Sequence, residues 1–247
     1  MVGEPISLWL KNRLLNSKIH LNTVFEPFVG VGGIAVHLSC IAHRYIVNDL
    51  DPAKIEMLRN NLSVYGVDQT NIDFNQQDFL EVVPFKSDLI VLCPPWGGTN
   101  LEMYATKDLD EIMVPKLSDI LKHACEFSHN MIIQMPKNTN IQNLMKVISR
   151  AYGTPVAQIV KIMFNKVVSQ LFIFIGDEAF TQILRSDVYG MLYDTFKCES
   201  KETRDKLKKE YRSNPSDVLR QAYTVTHPTN KKQAKRPTTP KQHRLPF

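Results

Sequence analysis

The stretch Asp88-Leu89-Ile90-Val91-Leu92-Cys93-Pro94-Pro95-Trp96-Gly97-Gly98 decides how the rest of the chain is read. Its first half is a short, continuous run of branched apolar residues bounded by turn signals, the pattern of a strand buried on both faces. Pro94 and Pro95 end the ladder because neither has an N–H to donate. Trp96 follows at once, on a loop that Gly97 and Gly98 leave free to bend close to a ligand. Open α/β sheets bind ligands at the carboxyl ends of central strands, so a large flat ring placed there is a candidate platform. In isolation the same residues also describe a Pro-Pro turn with its Trp tucked into the core, and the context has to choose.

Upstream, Thr23-Val24-Phe25 reads as a strand leading into a glycine-rich turn, followed by a helix from Ile34 to Ala42. Arg44 to Val47 is a second strand that ends in Asn48-Asp49-Leu50-Asp51-Pro52. Asp51 suits an N-cap and Pro52 the first helical turn. Ile55, Leu58, Leu62 and Tyr65 then recur at helical spacing, and Gly66 supplies the stop. Asn71 to Phe74 is the third strand and Asp88 to Leu92 the fourth. Downstream come a helix over Leu117 to Phe127, a strand at Met131-Ile132-Ile133 and a helix over Ile141 to Ile148. Val156 to Phe164 and Gln170 to Ile175 close the pattern as an antiparallel pair.

Strands alternating with helices predict an α/β, Rossmann-like fold: a doubly wound, mostly parallel seven-stranded sheet with right-handed crossovers. Ile6, Leu10, Leu14 and Leu15 mark an amphipathic helix before it. The expected organisation is an N-terminal helix (1–21), the α/β domain (22–176), a charged helical appendage (177–222) and a basic tail (223–247).

No run approaches the roughly 20 apolar residues of a membrane span, and Met1 to Pro5 lacks the layout of a signal peptide. The four cysteines are scattered without a CxxC pair, against a zinc site or a disulfide framework and in favour of a reducing compartment. Net charge is +5, yet six of the basic residues lie beyond Tyr223, leaving 24 basic against 25 acidic side chains in the body. Pro228, Pro237, Pro240 and Pro246 keep this tail from packing. A polybasic arm of this kind binds RNA, directs nuclear import or simply solvates, and the sequence leaves these three open.

Chemistry-bearing residues come after successive strands. Glu26-Pro27-Phe28-Val29-Gly30-Val31-Gly32-Gly33 reads either as a turn whose backbone approaches a ligand at the start of a helix or as a tight packed turn. Asp49 ends the second strand, where a carboxylate accepts from a ribose hydroxyl pair. Asp78, after the third strand, reads either as an acceptor for an adenine amino group or as a solvated turn residue.

Glycine turn, ribose acid, adenine acid and Pro-Pro loop, in this order, resemble the class I methyltransferases that use S-adenosyl-L-methionine. The Pro-Pro-aromatic loop resembles that of enzymes acting on exocyclic amino groups. More narrowly, Phe25 to about Asp177 is similar to the catalytic domain of the trimethylguanosine synthase family, the RNA cap hypermethylases. That family's D-x-F-x-G-x-G-G, I-D-I-D-P, G-D-F and S-P-P-W-G-G motifs stand here as Glu26 to Gly33, Asn48 to Pro52, Gln77 to Phe79 and Cys93 to Gly98. Tyr104-Ala105-Thr106, Pro136-Lys137-Asn138 and Asn165-Lys166 are further echoes.

The resemblance implies methyl transfer to N2 of the 7-methylguanosine cap of small nuclear and nucleolar RNAs, in the nucleus and with some presence in the cytoplasm. It implies S-adenosyl-L-methionine held by Glu26, Phe28, Gly30, Gly32, Asp49, Asp78, Cys93 and Pro94. Cys93, Pro94 and Trp96 would flank the reacting centre, and Trp96, Tyr104, Lys137, Asn138 and Lys166 would hold the cap. No metal and no membrane are implied, and ribonucleoprotein proteins are the expected partners of the C-terminal region. The cationic N7-methylated base should stack strongly on the Trp96 indole.

The chain departs from the pattern in three places. Glu26 stands for an aspartate, and Cys93 stands for a serine, a weaker hydrogen-bond partner. The family's W-F-S-V-T-P element has no counterpart before Ile6, with Gly3-Glu4-Pro5 matching at most its end. An active cap methyltransferase is the expectation. Methylation of guanine N2 or adenine N6 inside an RNA, and a non-catalytic RNA-binding or assembly subunit, are the alternatives.

Overall fold

The computed structural model describes residues 2–16, 19–97, 102–153, 156–164, 167–176 and 180. Helix α1 (Glu4–Asn16) precedes β1 (Thr23–Glu26), α2 (Ala35–Leu38), β2 (Arg44–Asn48), α3 (Pro52–Val64), β3 (Ile72–Asn75) and β4 (Leu89–Leu92). Two short helices, α4 (Met103–Thr106) and α5 (Leu109–Ile112), lead to α6 (Leu117–Phe127), β5 (Met131–Pro136), α7 (Ile141–Tyr152), β6 (Val156–Phe164) and β7 (Val167–Gly176).

The seven strands form one sheet in the order β3-β2-β1-β4-β5-β7-β6. Strands β1 to β5 pair in parallel, while β7 runs antiparallel between β5 and β6. This is the doubly wound sheet with a terminal hairpin that the alternation of elements predicts. The strand order reverses between β1 and β4, so the carboxyl ends of these two strands flank a crevice, the position where such sheets take ligands.

Each face of the sheet carries its own core. On one, Val24, Tyr45, Val91, Ile132, Phe172 and Phe174 meet α1 to α3. On the other, Phe25, Ile90, Leu92, Ile133 and Ile173 meet α6 and α7. This alternation along buried strands explains why β4 and β5 read as continuous apolar runs. Phe25, Phe79, Phe85 and Phe127 form an aromatic knot on the second face, with ring centroids 5.0 to 6.1 Å apart.

Local signals account for most boundaries. Asp51 caps α3 by accepting from the Ala53 N–H, with Pro52 as the first helical residue, and Gly66 ends the segment at φ +65°. The expected helix over 34–42 is instead one α-helical turn, α2, that tightens into a 3-10 turn over Ser39–Ile41. In α1 the buried stripe is Ile6, Trp9, Leu10 and Leu14, whereas Leu15 is 55% exposed. Trp9 takes its place because the indole packs on Phe172 and Phe174 at 6.3 and 6.5 Å. Tyr65 is likewise at the surface rather than on the buried side of α3, where Leu58 and Leu62 face the core. The expected appendage over 177–222 and the basic tail lie outside the described residues, save Phe180, which is buried against Phe174.

Candidate active site

A cavity of about 290 Å³ opens at the carboxyl ends of the central strands. Glu26, Phe28, Val29, Gly30, Val31 and Gly33 line one side; Cys93, Pro94, Pro95 and Trp96 face them, with Gln134, Lys54 and Val2 completing the wall. The glycine turn and the Pro-Pro-Trp loop, 60 residues apart in the chain, thus share one space because β1 and β4 are neighbours in the sheet.

The residues at the end of β2 hold the glycine turn in place. Asp49 Oδ2 accepts from the Gly30 N–H at 2.9 Å, while Oδ1 takes the Asp51 N–H at 3.1 Å and Lys54 Nζ at 3.4 Å. Asn48, which carries no signal of its own in the sequence, bridges two loops: its Nδ2 donates to Pro27 O and Gln77 O, and its Oδ1 accepts from the Gln77 N–H. Gly30 and Gly32 sit at φ +55° and +86°, where a side chain is strained. A Cβ on Gly32 would stand 2.2 Å from Leu58 Cδ1.

Glu26 is only 1% exposed, and its carboxyl accepts from the Tyr45 hydroxyl at 2.6 Å. Burial pushes its pKa from 4.5 up to about 8, against the lowering effect of the Tyr45 bond, so the neutral acid prevails at pH 7. Burial, and then the nearby Glu26 carboxyl, push the Cys93 thiol well above its ordinary value. Cys93 is therefore a neutral thiol, without the thiolate character a nucleophile needs.

Trp96 is half-buried against the second core, and its buried indole N–H has no hydrogen-bond partner among the described residues. Tyr104 is 1% exposed and donates its hydroxyl to the Trp96 carbonyl at 2.8 Å. Here it supports the Trp loop from beneath. Lys137 is exposed and Asn138 half-buried in the turn after β5. Asp78 caps the 3-10 turn Phe79–Glu81 by accepting from the Leu80 N–H, outside the cavity wall. Phe28 lines the cavity and meets Phe79 edge-on at 5.2 Å. Lys166, with Gly98 of the opening motif, lies outside the described residues.

Gln134 and Lys54 were not singled out from the sequence. Lys54 has a local signal, because it lies in the first turn of α3, five residues beyond Asp49, and can reach back to it. Gln134 had only one, a lone amide inside the apolar run of β5. No cluster of three or more metal-ligating side chains occurs among the described residues.

A seven-stranded sheet of this order, with its cavity at the strand-order reversal, defines the class I methyltransferase fold. An aligned structure assigned as an O-methyltransferase from Nostoc punctiforme has a TM-score of 0.53 at 13% identity, covering 70% of this chain and 56% of that one. Residues 21–178 match the model of the RNA cap guanine-N2 methyltransferase family, and the chain belongs to that family. Trimethylguanosine synthase of Schizosaccharomyces pombe is 30% identical over 141 residues, 53% of this chain and 55% of that protein. Trimethylguanosine synthase of Saccharomyces cerevisiae is 23% identical over 158 residues, 61% and 50% respectively. The chain thus spans about half the length of these curated relatives.

Proposed function

We propose that this chain methylates the exocyclic N2 of a 7-methylguanosine RNA cap with S-adenosyl-L-methionine as donor. The observation that carries the reading is that the Pro94-Pro95-Trp96 loop and the glycine turn line one cavity. Family membership supports it, as do the names of the two relatives. Small nuclear and nucleolar RNAs are the proposed substrates, and the nucleus the proposed site of action.

The residues present fit the cofactor. Gly30 lines the cavity with nothing within 4 Å of where a Cβ would stand, so its backbone is open to a ligand, and the buried Asp49 carboxylate that holds its N–H retains lone pairs beyond its three bonds. When bound, S-adenosylmethionine supplies an electrophilic methyl group on a sulfonium, an excellent leaving group. The chain's contribution is then mainly alignment. We assign the Pro94 carbonyl to accept one N–H of the target amine. Trp96 stacks on the cationic base through its ring face. Glu26, neutral in the protein alone, gains a cationic neighbour when the donor enters and would ionise against it. Lys137 and Asn138 are proposed cap contacts at the rim, as is Lys166.

The test is incubation with methyl-labelled S-adenosylmethionine and RNAs bearing either 7-methylguanosine or unmethylated guanosine caps, followed by nucleoside mass spectrometry. Label on N2 of the 7-methylated cap alone is expected. No transfer to either, beside an active family member, refutes the proposal.

A further inference from the structure

One buried polar pair next to the reacting centre has no part in that account. Gln134 is 3% exposed and Gln170 6% exposed, and Gln134 Nε2 donates to Gln170 Oε1 across the β5–β7 pairing. A buried amide in a strand interior must be satisfied, and Gln170 satisfies one end of this one. The Gln134 side chain makes no other hydrogen bond among the described residues, which leaves its Oε1 for the cavity that the residue lines.

Register places that oxygen. Leu92 pairs with Ile133, so the next residues, Cys93 and Gln134, stand side by side at the ends of β4 and β5. Both belong to the face that carries Val91, Ile132 and Phe172. The other polar side chains of the wall are committed elsewhere or are weak acceptors. Lys54 is a donor already turned to Asp49, Trp96 offers only an N–H, Cys93 is a half-buried thiol, and the Glu26 carboxyl takes Tyr45 on one oxygen and, in the reading above, answers the cationic donor. A guanine amine carries two hydrogens, and the Pro94 carbonyl takes one.

We propose that Gln134 Oε1 accepts the second hydrogen of the target amine, and that Gln170 is the positioning residue that holds the amide in this orientation. Two acceptors in the plane of the base leave the nitrogen lone pair perpendicular to it, free to meet the methyl group. The assignment rests on the cap reading above and deepens it: the site selects a purine bearing a 2-amino group.

The experiment measures binding of 7-methylguanosine diphosphate and 7-methylinosine diphosphate, which lacks the amine, to the full chain saturated with demethylated cofactor. Wild-type protein is expected to prefer the amino-bearing base about tenfold, the effect of leaving one buried acceptor unmatched. In Gln134→Met the preference should collapse towards unity while cofactor affinity holds. Gln170→Met should lose part of it, through misorientation of Gln134. The double variant Gln134→Met/Gln170→Met removes both amides at once, leaves no orphaned group, and should fold and show no preference. A wild-type preference retained in Gln134→Met overturns the proposal, and so does equal binding of both analogues by wild type. Binding of neither by wild type refutes the cap reading itself.

Discussion

Replacing Glu26 by Gln tests the electrostatics of the cavity most directly. The carboxyl lies inside the first core, and its pKa rises from 4.5 to about 8, chiefly through burial. In the unfolded chain it releases its proton near 4.5, while in the folded protein alone it keeps it until about 8. Folding stability from this group is therefore fully present below pH 4.5 and is lost as pH climbs to about 8. At 1.36 kcal/mol per pKa unit the loss is on the order of 5 kcal/mol. Gln cannot ionise and preserves an oxygen for the Tyr45 hydroxyl. Urea unfolding of both proteins without cofactor, at pH values from 5 to 9, should give close stabilities at pH 5 and an advantage for Glu26→Gln that widens up to about pH 8 and then levels off. Wild-type and variant curves that stay parallel throughout would refute the burial argument. Added cofactor should narrow the gap at high pH, because a cationic ligand stabilises the carboxylate that Gln lacks.

Two further outcomes are expected. Gly32→Ala combines a positive φ with a 2.2 Å approach to Leu58 Cδ1, whereas Gly30→Ala meets open space and carries only backbone strain. Thermal melting should show Gly32→Ala losing about 2 to 4 kcal/mol and Gly30→Ala about 1. Trp96→Ala should weaken 7-methylguanosine diphosphate binding by roughly tenfold or more, through lost cation–π stacking, with Trp96→Phe intermediate. Calorimetry should show demethylated cofactor bound as in wild type.

Much of this architecture is legible in the chain because parallel strands buried on both faces leave unbroken apolar runs, as at Leu89 to Leu92. The helix stop at Gly66 and the cap at Asp51 carry their own chemistry. What escaped was set by distant register. Gln134 looks like a blemish in β5 until β7 supplies Gln170, 36 residues later. Asn48 is one polar residue among many until the loops after β1 and β3 converge on it. Helices α4 and α5 have four residues each, too short for a periodic pattern to form. Tyr104 is open to two readings, a cap contact or a packed tyrosine, and the sequence alone does not show its burial or its bond to the Trp96 carbonyl.

The bond from Tyr104 to the Trp96 carbonyl continues further. Tyr104 O accepts from the Asn140 N–H at 2.7 Å, and Asn140 in turn caps α7. Three residues thus act as a strut between the Trp loop and the turn carrying Lys137 and Asn138. The backbone that carries the indole and the backbone that follows the rim are thereby held at one separation. A ligand that engages one would find the other already set, with Tyr104 fixing their spacing from inside the core.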